Sequence, residues 1–277
     1  MKNIGIKIAA VIGLALAPQA AFAGRGGSAE LIRAAVSSGS VDAITAEIER
    51  AEALMCEECI QLVTNLTEDS RYEVREVAAW WFAKRPVLRD MLAVQFSAEL
   101  PHGTTVQVRN AADFLGRTKT YTALPQLRAA IHRSDIGAEA KLAMVRAVAF
   151  MSHTGGNEVL TTAMTDGDAS VRVAAVAAWR DVLGQKTAAP VVARLGDGDP
   201  GVRAHAATVV GAMSEPSARP ALEVLVVSDP DAFVRRNAAW ALGRLGDPAS
   251  RAALTRATTD SSGLVRGFAK AALASLH

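Results

Sequence analysis

The chain has 277 residues, 50% of them hydrophobic, 21% charged and only 5% aromatic, with a formal net charge of +2. Such a composition excludes an intrinsically disordered protein, and two cysteines are too few for a disulfide-built scaffold. So small a charge offers no concentrated basic face for nucleic acid. Alanine makes up about a fifth of the residues and favours helix over sheet.

In chain order, residues 1–23 come first. Lys2 and Lys7 form a positive start, Ile8 to Ala17 an apolar run, and Pro18 a break before Ala21-Phe22-Ala23. That order fits a secretory signal peptide with a small-residue cleavage site before Gly24. The apolar run is too short to span a bilayer comfortably, and no later segment reaches the length of a membrane helix. Export to the bacterial periplasm or beyond is therefore expected, with no membrane insertion after cleavage. Loss of Lys2 and Lys7 leaves 28 basic residues against 28 acidic ones, so the expected mature chain is formally neutral.

Residues 24–52 read as two amphipathic helices, Ser28–Val36 and Val41–Ala51, separated by a Ser-Ser-Gly-Ser turn. They suit the terminal cap that a stacked array requires. Cys56 and Cys59 follow in Met-Cys-Glu-Glu-Cys-Ile. Ile60 stands where covalent haem attachment needs histidine, so haem is excluded. A local disulfide or packed thiols, a redox pair, and a soft-metal site sharing Met55 remain as alternatives.

The dominant signal from residue 53 to 277 is internal repetition. Val-Arg pairs end at Arg75, Arg109, Arg172, Arg203, Arg235 and Arg266, and Lys141 stands in a weaker seventh copy. The steps are 34, 32, 31, 31, 32 and 31 residues. Asp69, Asp135, Asp166, Asp197, Asp229 and Asp260 each precede their basic partner by six; only the Arg109 copy has a glycine, Gly103, there. Second acids at Asp168, Asp199 and Asp231 suit helix caps better than calcium, because no late glutamate follows. After each turn, positions −1, +3, +6 and +7 from the basic residue form one apolar stripe at helical spacing. Further helices are expected at Pro86–Ala98, Tyr121–Arg133, Thr187–Leu195, Ala218–Val227 and Pro248–Thr258, with Gly116, Gly184, Gly196 and Gly246 near helix ends. The expected fold is all-α: an α-solenoid of about seven stacked hairpins with an N-terminal helical cap.

The D-x-x-x-x-V-R-x-x-A-A pattern at this period resembles the HEAT repeat, in its short form of the phycobilisome-lyase type. That resemblance implies second helices lining a concave surface, and Asp–Arg bonds between neighbouring repeats. Deoxyhypusine hydroxylase has similar repeats and holds iron with His-Glu motifs. Here His102, His132, His153, His205 and His277 include no His-Glu pair, and no pigment-binding motif is present. No cofactor is called for, so a lyase or hydroxylase is the least supported alternative.

The arginine ladder is read as structural, since each Arg lies beside a core valine with an Asp at a fixed offset. On the same helices, positions +1, +5 and +8 point away from the core stripe. Trp80, Phe114 and Trp240 at +5, with Arg146 and Arg180, are therefore the expected binding residues for a protein partner, while Trp81 and Trp179 belong to the core. The competing structural reading is that Trp80 and Trp240 fill gaps between alanine-rich helices. The sequence reading is an exported, non-catalytic scaffold; its alternative is a redox or metal-handling accessory protein using Cys56 and Cys59.

Overall fold

The computed structural model describes residues 27–276, all helix, turn and loop with no strand among them. The segment read as a signal peptide, 1–23, lies outside these residues. The chain divides into two compact units, one ending at Ala123 and the other starting at Leu124.

The first unit contains three hairpins: α1 (Ala29–Ser38) with α2 (Val41–Arg50), α3 (Glu57–Leu66) with α4 (Tyr72–Ala83), and α5 (Pro86–Glu99) with α6 (Thr105–Arg117). Ser28 and Ser40 cap α1 and α2 by accepting the amides of Leu31 and Ala43, and Gly39 supplies the left-handed residue between them. This hairpin stacks on α3 and α4, as a cap must. The core of the unit is aromatic. Trp81, Phe82, Phe96 and Phe114 are fully buried, with ring centroids 4.8 Å apart for Phe96–Phe114 and 5.2 Å for Trp81–Phe82. Helix α6 begins without an acidic turn, because Thr104 and Gln107 form a capping box instead.

The second unit holds five hairpins. Their first helices are α7 (Leu124–Ala130), α9 (Asn157–Ala163), α11 (Ala189–Val192), α13 (Arg219–Ser228) and α15 (Arg251–Ala257). Their second helices are α8 (Ala138–Met151), α10 (Ala169–Trp179), α12 (Pro200–Ala212), α14 (Ala232–Leu245) and α16 (Gly263–Ala274). Second helices stack in sequence on one another. Several first helices are shorter than their sequence pattern implies. Pro216 and Pro248 open short 3₁₀ turns, and α11 spans a single turn that starts around Pro190. Asp168, Asp199 and Asp231 cap α10, α12 and α14 as expected, each accepting an amide from the first turn. Gly246 ends α14 in the left-handed region at φ 68°, whereas Gly116 lies within the last turn of α6.

Glu99, at the end of α5, is pushed up to about 7 by burial and then by the nearby carboxylate of Glu68. A raised carboxylate favours the protonated folded chain. Its contribution is complete below the ordinary 4.5 and declines as pH rises towards 7. Glu99→Gln is expected to flatten this decline, so that its urea midpoint exceeds that of the wild type at about pH 8 but not at about pH 4. Equal differences at both pH values would contradict the assignment.

Candidate functional site

The ladder is a relay. In the second unit, Arg172 grips Asp197 at 2.8 and 2.9 Å, Arg203 grips Asp229 at 2.7 and 3.0 Å, and Arg235 grips Asp260 at 2.7 and 3.0 Å. Lys141 reaches Asp166 at 2.6 Å. Each contact joins one repeat to the next. The remaining guanidinium nitrogen turns back to its own repeat: Arg172 donates to the Asp166 carbonyl, Arg203 to that of Asp197, and Arg235 to that of Asp229. The same carbonyl contact joins Arg266 to Asp260. Bidentate, charge-assisted bonds to Asp197 and Asp260 help hold those carboxyls below their ordinary value. These arginines are committed to structure.

The first unit departs from the pattern. Arg75 bonds the Asp69 carbonyl at 2.7 Å, but its other nitrogens meet Asp113 Oδ2 at 2.7 and 3.0 Å. Both side chains are almost wholly buried, at 3% and 2% exposure. The missing acid at Gly103 is thus supplied from within α6. Asp69, first in the series, is gripped in cis by Arg71. Arg109 donates to the side chain of its neighbour Asn110. Asp113 was legible as the lone acid in the +4 column, which otherwise holds Ala79, Val145, Val176, Ala207, Ala239 and Lys270.

The expected aromatic face is only partly assembled. Trp80 is half-buried on α4 and lines a groove of about 590 Å³ with Val41, Thr45 and Val77. Asp42, Glu49, Glu73 and Glu76 give that groove an acidic rim, opposed by Arg117. Phe114 is a correction. It is 1% exposed, because α5 lies across α6 and sets Phe96 against its ring. Trp240 is half-buried, and its ring leans over Gly211, where an added Cβ would lie 2.8 Å from ring carbon Cζ3. Arg146 is half-buried on α8 and does not line the groove beside Trp80. Trp81 and Trp179 are core residues, each with its indole N–H bonded to a carbonyl.

A second groove, of about 520 Å³, lies in the second unit and includes Arg180, His205, Thr208, Phe233 and Arg236. Phe233 is 60% exposed, and the Arg236 guanidinium stands 5.1 Å from its ring and 6.0 Å from that of Phe268. Sequence reasoning did not select Phe233, because at −2 it sits in the first turn, outside the columns assigned to the exposed face.

Cys56 and Cys59 form a disulfide with Cα atoms 5.1 Å apart. Among the described residues, no group of three or more His, Cys, Asp or Glu is placed to hold a metal, and no helix is long and apolar enough to cross a membrane.

Stacked helical hairpins tied by a relay of charged side chains define an α-solenoid. Residues 188–274 match the family described as HEAT repeats, and the same hairpin and ladder recur on their N-terminal side. Among solved structures, the Escherichia coli protein YibA is 14% identical with a TM-score of 0.56, covering 94% of this chain and 99% of its own. A chain in the structure of Kap95p with RanGDP is 14% identical with a TM-score of 0.57, over 90% of this chain and 38% of that one. An engineered protein reaches a TM-score of 0.50 at 18% identity, over 91% of this chain and 82% of its own. At these identities the likeness establishes the fold. No curated protein matches the chain.

Proposed function

We propose that the chain is an exported interaction scaffold, binding a protein partner along the face formed by its second helices. The observation that carries this reading is that half-buried Trp80 and exposed Phe233 line grooves on helices that are otherwise rich in alanine. Large aromatics beside arginine are the side chains that binding interfaces use as anchors. The acidic rim around Trp80 favours a basic segment of the partner, and Arg180 and Arg236 favour an acidic or polar one. Kap95p, which shares the fold, is a binding protein by its complex with RanGDP, and this supports the class of role. Export rests on the signal-peptide pattern of residues 1–23. The reading calls for no catalytic step.

The test is crosslinking in the native exported compartment, with Trp80→Ala and Phe233→Ala compared against the wild type. Each anchor variant is expected to lower capture of the partner by about tenfold or more with unchanged helicity. Undiminished capture by both variants would reject these grooves.

A further inference from the structure

We propose that Cys56–Cys59 is a thiol–disulfide exchange site that accepts electrons from a dithiol, with Cys56 as the sulfur the substrate meets. The inference is independent of the grooves. Three observations carry it.

The first is placement. Cys56 is the N-cap of α3 in an extended conformation, and the Cys59 amide donates to its Sγ at 3.0 Å. A thiolate released at Cys56 would face the free amides and positive end of the helix, the setting that favours ionised cysteine. Of the flanking acids, Glu58 pairs with Arg33 and Glu52 with Lys84.

The second is asymmetry. Cys56 is partly exposed, next to a Met55 that is 50% exposed, whereas Cys59 is 0% exposed. An incoming thiolate can reach one sulfur and not the other. Exchange chemistry depends on which sulfur is open to attack.

The third is that the segment before Cys56 is fastened without the disulfide. Trp81 Nε1 donates to the Ala51 carbonyl at 2.9 Å. Arg85 donates to the carbonyls of Glu52 and Leu54 at 2.6 and 2.9 Å and touches Met55 Sδ at 3.2 Å. A ring closed over three residues also constrains little of the unfolded chain. The bond is poorly placed as a staple and well placed to open without loss of the fold.

A substrate thiolate attacks Cys56 Sγ, forming a mixed disulfide while the Cys56–Cys59 bond breaks; its electron pair goes to Cys59 Sγ, which takes a proton. The substrate's second thiolate then attacks the substrate sulfur of the mixed disulfide, and Cys56 leaves as thiolate. The substrate dithiol loses two electrons and two protons and becomes a disulfide; Cys56 and Cys59 gain both electrons, Cys59 takes one proton, and the other stays with water while Cys56 remains a thiolate.

The full chain is treated with dithiothreitol, and separately with glutathione buffers of graded redox state, and the thiols are counted by alkylation and mass. Reduction is expected in native buffer with helicity retained, and glutathione is expected to set a mixture of dithiol and disulfide. In Cys59→Ser, oxidised glutathione should cap Cys56 at least about tenfold faster than it caps Cys59 in Cys56→Ser. A disulfide that stays oxidised throughout the glutathione series, or that opens only at the rate of unfolding, would overturn the proposal. So would equal capping of the two variants.

Discussion

Asp113→Ala is expected to cost about 3–5 kcal/mol, the range for removing one member of a buried ion pair. The loss is large because Arg75 stays behind. Its side chain is 3% exposed and keeps its bonds to the carbonyls of Asp69 and Ser70, with no second carboxylate hydrogen-bonded to it. Asp113→Asn, which retains an acceptor oxygen without the charge, should fall between wild type and alanine. Urea unfolding followed by amide exchange of α4 and α6 reports this unit directly. A cost below about 1 kcal/mol would mean that water solvates Arg75 once the acid is gone.

Trp81→Ala should be comparably severe, about 3–5 kcal/mol, through the cavity left by a wholly buried indole. It also removes the bond to the Ala51 carbonyl and the ring over which the Arg85 guanidinium lies. Arg85 is already depressed to about 10 by its burial, so it tolerates the loss of a stacking partner poorly. The adjacent Trp80 provides the control. Because Trp80 is only half-buried and lies at the edge of a groove, Trp80→Ala should change stability by no more than about 1 kcal/mol. Calorimetric scans of the two variants side by side test the contrast; similar losses in both would contradict the different burial of these neighbours on α4.

Much of the fold was legible because its cause is local and repeated. A valine that must be buried, an arginine that must find a carboxylate and an aspartate that caps a helix recur at one spacing. Each constrains the same turn. The limits of that reasoning appear where one repeat differs from its neighbours. Phe114 was assigned by its column, but the long α5 brings Phe96 over that column and buries it. The fixed offset pairs Arg75 with Asp69, yet Asp69 offers it only a backbone carbonyl and Asp113 takes the charge. Of the candidate face, Trp80 and Arg180 do line grooves, while Trp240 leans on Gly211. Distinguishing these outcomes requires the helix opposite, which no single-helix period encodes.

The relay also governs how such a chain can change length. The three middle repeats of the second unit each carry a donor for the repeat ahead and an acceptor for the one behind, and the repeats follow one another at about 31 residues. Duplicating or deleting one whole period moves donor and acceptor together and creates no unmatched charge at the junction. Loss of part of a period that removes the aspartate and keeps the arginine behind it leaves a part-buried guanidinium without its carboxylate. Growth in whole units is therefore the genetic change this architecture accepts most readily, and the ladder acts as its proofreading rule.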